Sequence, residues 1–286
     1  MNNIQKRVLA VHDISCVGRC SLTVALPIIS AAGIETACLP TAVLSTHTGG
    51  FEGFTYRDLT EDMLPISAHW KSLGQKFDAI YTGFLGSFGQ LDIIKRLFAE
   101  FGSPPALKIL DPVIADHGKL YKIFDMRFVA GMVQLAKDVD LIIPNITEAC
   151  FLLGKTYSPP PYAPQFIESL LDGLLNLGAK SAVLTGVSFA KGELGAACKR
   201  AEDRQASFAF TSHIEGEYHG TGDVFASTLT AALLRGFSLE RSMDIAAKYT
   251  YRCIKRTLAA GTDVRYGVHF ELEMPYFLSL LEGGNV

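Results

Sequence analysis

Leu141-Ile142-Ile143-Pro144-Asn145-Ile146-Thr147-Glu148-Ala149 holds the end of one element and the start of another. Its three leading aliphatic residues carry no charge, which is how a strand buried on both faces reads. Asn145 and Thr147 are residue types that cap helices, and Glu148 suits a helical first turn. A buried strand handing over to a helix in so few residues is the repeating unit of an α/β fold.

The same rhythm runs outward in both directions. Val8–Val11, Thr36–Leu39, Ala79–Thr82, Leu107–Leu110, Leu141–Ile143 and Ala182–Thr185 read as strands. Helix-length segments lie between them, around Ser21–Ala32, Leu91–Phe101, Phe128–Ala136, Glu148–Leu153 and Pro164–Leu177. This order predicts an α/β three-layer sandwich, a mostly parallel central sheet with crossover helices on both faces. Thr41–Asp58 is too rich in glycine for a helix and predicts a short flap or edge hairpin. Ser158–Pro164, with four prolines in seven positions, reads as a rigid surface loop. After Gly192, Gly195–Cys198 and Ser207–Thr211 read as antiparallel strands, followed by long helices at about Asp223–Arg235 and Leu239–Leu258. No break is long enough for a boundary, so residues 1–286 are expected to form a single domain.

Composition narrows the function. At 286 residues the chain can bury roughly 70–75% of its extended surface, so folding needs neither metal nor disulfide. Lys+Arg 26 against Asp+Glu 29 leaves −3, without the basic excess of a nucleic-acid binder. The amino-terminal apolar run is too short for a signal peptide, and no 18-residue uncharged apolar stretch offers a membrane span. Six scattered cysteines without a CxxC suit a reducing compartment, so a cytoplasmic protein is expected.

Two nucleotide motifs fail on inspection. Gly154-Lys155-Thr156 mimics the end of a P-loop, but Ala149 stands where the first glycine belongs, and Gly154 reads better as a helix C-cap. The first strand leads into a segment with Gly18 alone, which is no dinucleotide fingerprint. His12, Cys16 and Cys20 are four apart, but they lie at a strand exit, where that spacing does not gather metal ligands.

His219-Gly220-Thr221-Gly222-Asp223-Val224-Phe225-Ala226-Ser227 is different in kind. A glycine turn opens into a helix of small residues, and free N–H groups at such an N-terminus favour a phosphate. An acid placed there would repel phosphate as a mere cap, but makes sense as a base between a hydroxyl and a transferring phosphoryl group. An N-cap aspartate is the plainer alternative. Asp111, Asn145, Glu148, Thr185 and Asp223 would all line the carboxyl edge of the sheet, where open α/β folds bind ligands.

Gly220-Thr221-Gly222-Asp223, Asp111-Pro112-Val113, Pro144–Ala149 and Ser45-Thr46-His47-Thr48-Gly49-Gly50-Phe51 together resemble the pyridoxal kinase branch of the ribokinase-like superfamily, over Val8 to about Glu271. The resemblance implies that Asp223 is the catalytic base and that Gly220, Thr221 and Gly222 form an anion hole. It implies that Asp111, Asp116, Tyr121, Asn145, Glu148 and Thr185 meet ATP, and that Glu148 and Asp111 organise Mg²⁺. It places Asp13, Gly18, His47, Thr48 and Phe84 beside Asp223 at the vitamin B6 substrate. It further implies Mg²⁺ with ATP, an optional monovalent cation such as K⁺, and a homodimer. The family often has Ser for Asp13, Gln for Gly49, Tyr for Phe84 and Thr for Ile143.

The rivals are a hydroxymethylpyrimidine kinase, whose members usually carry Cys at the position of Asp223, a sugar kinase, and a vitamin-binding module without activity. The intact Gly-Thr-Gly-Asp speaks against the last, and the short flap lacks the polar side chains a polyol needs.

Overall fold

The structure, a computed structural model, describes residues 5–282. The chain begins β1 (Arg7–Val17), α1 (Leu22–Ala31), β2 (Glu35–Thr46), β3 (Tyr56–Asp58), α2 (Thr60–Ser72), β4 (Ala79–Thr82), α3 (Phe88–Phe101) and β5 (Leu107–Leu110). It continues through β6 (Ala115–Asp116), β7 (Lys119–Leu120), α4 (Met126–Ala136), β8 (Leu141–Ile142), α5 (Ile146–Leu153) and α6 (Pro164–Leu177). β9 (Ser181–Val187), β10 (Glu193–Arg200), β11 (Ser207–Ser212), α7 (Thr221–Leu234), α8 (Leu239–Ala260) and α9 (Met274–Glu282) complete it.

Nine strands form one sheet in the order β11-β10-β9-β8-β5-β4-β1-β2-β3. The six from β9 to β2 pair in parallel, while β10, β11 and β3 join antiparallel at the two ends. Successive strand residues feed two separate cores. Val8, Tyr81, Ile109, Leu141 and Val183 pack under α1, α7, α8 and α9. Leu9, Ile80, Leu110, Ile142 and Leu184 pack under α2 to α6. Burial on both faces is why these strands read as apolar runs, interrupted in β5 by the half-buried Lys108. β1 has β2 on one side and β4 on the other, so the chain reverses direction across the sheet there and opens a crevice at the carboxyl ends.

Most of the expected elements appear, with informative differences. The flap is an edge hairpin: β2 runs on through Thr46 and pairs with β3 around residues 47–55. α2 has no counterpart in the sequence reading, since Pro65 interrupts its pattern and only Met63 and Ser67 are buried along it. Asp13 lies inside β1 rather than after it. Between His12 and Ile14 the register slips, setting Thr41 and Ala42 opposite Asp13 alone, an irregularity of the kind that re-aims a side chain. Residues 115–120 form the β6–β7 hairpin, whose turn residues His117 and Gly118 both have positive φ, 48° and 76°. Gly154 closes α5 with φ 63°, the C-cap foreseen for it. Among the described residues no helix is long and apolar enough to cross a membrane.

Candidate active site

α7 begins two residues earlier than its apolar pattern suggests. Gly220 is the N-cap, with φ 75°, so Thr221, Gly222 and Asp223 form the first helical turn. Only glycine fits at 220, because a Cβ there would collide with the Arg19 carbonyl oxygen. Gly222 faces open space, leaving the first N–H groups of the helix accessible from the crevice. The Thr221 hydroxyl turns back to donate to the Tyr218 carbonyl at 3.2 Å.

Asp223 is half-buried, and desolvation pushes its carboxyl up to about 6. The nearby Ser21 N–H and Cys20 thiol oppose that rise, while the charge of Asp13 adds to it. Ser21 has φ 56°, a left-handed conformation rare outside glycine and of a kind that clusters at functional sites. The turn 18–21 therefore sets backbone and thiol beside this carboxylate.

Asp111 follows β5 and is 8% exposed; Glu148, in the first turn of α5, is 4% exposed. Glu148 and Asn145 make a reciprocal capping box: Asn145 Oδ1 accepts from the Glu148 N–H, and Glu148 Oε2 from the Asn145 N–H, each at 2.9 Å. Glu148 Oε1 accepts from the Ile114 N–H at 3.1 Å, and Asn145 Nδ2 donates to the Ala115 carbonyl at 2.9 Å. Burial raises both carboxyls well above their usual range. The charge of Asp223 adds to this at Asp111, and that of Asp111 adds to it at Glu148. Among the described residues neither carboxylate forms an ion pair with a Lys, Arg or His side chain.

Among the described residues no three His, Cys, Asp or Glu side chains gather closely enough to hold a metal by themselves. Two buried carboxylates without a counter-cation still suit Mg²⁺, which arrives with phosphates, keeps water ligands and takes only one or two carboxylates.

Tyr121 shares this field. Desolvation raises its hydroxyl, and the charges of Glu148, Asp116 and Asp111 follow in that order. Asp116 is exposed on the hairpin, which is tied to α5 by the Gly118 N–H donating to Thr147 Oγ1 at 3.0 Å. Thr185 lies within β9 rather than at its end, with its N–H on the Pro144 carbonyl at 3.0 Å and a bridge to Asn145.

On the other side of Asp223, Asp13 is 4% exposed and accepts from Ser15 Oγ at 3.1 Å. Desolvation raises its carboxyl, while hydrogen bonds from Ser21, Ser15 and its own N–H, and the proximity of His47, work against that. Both His47 nitrogens are occupied within the protein: Nδ1 accepts from the Gly49 N–H at 3.1 Å, and Nε2 faces the Arg265 carbonyl at 2.5 Å. A carbonyl can only accept, so the proton sits on Nε2, and His47 has no ring nitrogen left for a substrate. Gly18, φ 102°, backs the His47 ring. Thr48 is exposed on the flap, and Phe84 is half-buried with its ring 5.9 Å from that of Phe124.

The structure thus draws Asp13, Asp111, Glu148, Tyr121 and Asp223 into one electrostatic neighbourhood. Asn145 and Thr185 are engaged in backbone architecture, and Thr48 and Phe84 lie apart from the carboxylates' hydrogen bonds. Sequence reasoning missed Cys20 and Ser21 as neighbours of Asp223. It also missed Tyr81, fully buried, whose hydroxyl is raised by desolvation and by Asp111 and Asp223. Nothing in the residue pattern marks Ser21 for a positive φ.

A parallel sheet with its crevice at a switch point, an open helix N-terminus and an adjacent carboxylate make up an α/β fold of ribokinase type with a ligand crevice. The chain matches the phosphomethylpyrimidine kinase family over residues 26–267 and belongs to it. A Bacteroides thetaiotaomicron protein bearing the provisional name phosphomethylpyrimidine kinase, solved with pyridoxal, is 36% identical, with TM-score 0.90 over 96% of each chain. The structure of pyridoxal kinase from Lactobacillus plantarum is 32% identical, with TM-score 0.88 over 99% of this chain and 100% of that one. The pyridoxine/pyridoxal/pyridoxamine kinase of Bordetella avium is 26% identical over 265 residues, 89% of this chain and 86% of its own.

Proposed function

We propose that this kinase transfers the γ-phosphoryl group of ATP to the 5′-hydroxymethyl group of a vitamin B6 vitamer: pyridoxal, pyridoxamine or pyridoxine. The observation that carries the reading is Asp223, raised to about 6, in the first turn of a helix whose N–H groups open onto the crevice. Asp223 accepts the proton of the attacking hydroxyl, and the N–H groups from Thr221 to Asp223 receive the charge that develops on phosphate oxygens. Asp111 and Glu148 would hold Mg²⁺, which when bound neutralises phosphate charge. Asp116, Tyr121, Asn145 and Thr185 form the nucleotide side, and Asp13, Gly18, His47, Thr48 and Phe84 the acceptor side. A cytoplasmic homodimer of one-domain subunits, with K⁺ as an optional accessory ion, belongs to the same proposal.

The decisive experiment offers Mg-ATP with the three vitamers, hydroxymethylpyrimidine and sugars, and reads products by mass spectrometry. Phosphorylated vitamer is expected. Product only from hydroxymethylpyrimidine would favour the second reading, which the family's description supports.

Glu148→Gln is expected to raise the Mg²⁺ concentration for half-maximal activity by about 10–100-fold, with vitamer binding in the absence of nucleotide unchanged. Loss of one capping hydrogen bond should also cost about 1 kcal/mol of stability, read separately by melting. Superimposable Mg²⁺ titrations would reduce Glu148 to its capping role.

Asp13 makes a sharper test of vitamer choice. Its carboxylate is nearly buried and has no Lys or Arg partner, so a protonated pyridine nitrogen or amine would supply the missing positive charge. Asp13→Asn and Asp13→Ser are expected to weaken pyridoxamine use about tenfold more than pyridoxal use, with ATP parameters unchanged. Kinetics on both vitamers across pH give the answer. Equal losses would leave Asp13 as a residue bonded to Ser15 and its own backbone, with a structural role alone.

A further inference from the structure

The flap, residues 47–54, does not stand free; it is fastened to the short 3-10 turn Val264–Tyr266. His47 Nε2 donates to the Arg265 carbonyl at 2.5 Å, and Arg265 Nη1 donates to the Gly50 carbonyl at 3.3 Å. The Arg265 guanidinium lies 5.3 Å from the centre of the Phe51 ring. Phe51 in turn meets Tyr266 and His47 edge-on, each with centroids 5.1 Å apart.

Arg265 is exposed, yet it is held in one geometry. Its Nε and Nη2 donate to Asp263 Oδ2 at 3.0 and 2.6 Å. A long charged side chain normally surrenders much rotamer freedom to make such contacts, and the Asp263 fork has already taken that cost.

The same turn is anchored to the phosphate side of the crevice. The Arg19 N–H donates to the Tyr266 carbonyl at 2.9 Å. Gly267 leaves room for the Arg19 carbonyl, the group that Gly220 also accommodates. Flap and anion hole therefore hang on one short piece of backbone. His219, just before Gly220, touches the flap as well: its ring centroid is 4.9 Å from that of His47, and a Cβ on Gly49 would come within 2.8 Å of it.

We propose that Arg265 is a positioning residue for the acceptor substrate, latching the flap over the crevice and keeping water from the phosphoryl group. This rests on the reading above that the flap residues His47 and Thr48 lie on the acceptor side. The latch acts on the fraction of molecules whose flap is closed, and apparent acceptor affinity scales with that fraction. A cation–π contact and one hydrogen bond at a half-exposed site together shift that balance by about tenfold.

The test compares wild type with Arg265→Ala and Arg265→Lys. Arg265→Ala is expected to raise the KM for pyridoxal about tenfold and to increase ATP hydrolysis in the absence of acceptor, with KM for ATP and melting temperature unchanged. Arg265→Lys, which keeps a charge over Phe51 and a donor for Gly50, should recover part of the loss. Hydrogen exchange at residues 47–54 should be faster in Arg265→Ala than in wild type. If the acceptor KM, the acceptor-free hydrolysis and the flap exchange all match wild type, the proposal is overturned. It is equally overturned if KM for ATP and melting temperature fall away together with acceptor use, which marks a general structural role. A wild-type protein that phosphorylates no vitamer refutes the functional reading instead, and flap exchange still decides the latch.

Discussion

Asp223→Asn is expected to lower kcat by about 10²–10⁴-fold while leaving acceptor and nucleotide binding near wild type, because only proton acceptance in the transition state is removed. Asparagine keeps the size of the side chain and an acceptor oxygen beside the Ser21 N–H, so α7 should hold its start. The pH profile supplies an independent check. The carboxyl titrates at about 6, and only its ionised form can take a proton. Wild-type kcat/KM should therefore fall as pH drops through about 6 and level off above it, and the limb should vanish from the residual activity of the variant. Near-normal turnover by Asp223→Asn would leave Asp223 a helix-terminal acid with no part in the chemistry.

Gly220→Ala should be nearly as damaging, by a different route. At φ 75° any L side chain is strained, by roughly 1–2 kcal/mol. The added Cβ would also collide with backbone, the Arg19 carbonyl oxygen, which cannot swing aside as a flexible side chain would. Relief requires moving either the 18–21 turn, which lies beside Asp223, or the first turn of α7. Both movements displace donors from where phosphate charge develops, and losing one such donor typically costs about 10²–10³ in kcat. Steady-state kinetics with a melting curve check this: a variant that melts lower but keeps its kcat would show that the N-terminus of α7 takes no part in transfer. Gly222→Ala is the built-in control, since a Cβ there meets open space. It should leave stability unchanged.

The layout of the α/β sandwich was legible because each buried strand announces itself. Val8–Val11 must satisfy two cores at once, so apolar residues occupy both faces and no helix-period gap interrupts them. α2 was illegible for the converse reason: Pro65 lies in its middle and little of it is buried, so tertiary packing rather than pattern holds it. The β6–β7 hairpin was equally hidden, since its turn relies on His117 accepting a positive φ, which a polar loop sequence does not reveal.

By itself the sequence determined the strand–helix order, the glycine turn ahead of Asp223, and the residue types gathered at the carboxyl edge. Those depend on local composition and periodicity, which the chain carries openly. Only the tertiary structure decided that Glu148 spends both oxygens on backbone N–H groups, that His47 has no free nitrogen, and that Ser21 and Cys20 reach Asp223. It also decided that the Asp223 carboxyl is pushed up to about 6, because desolvation and the neighbouring charge of Asp13 involve groups more than two hundred residues apart in sequence, which only the tertiary fold brings together.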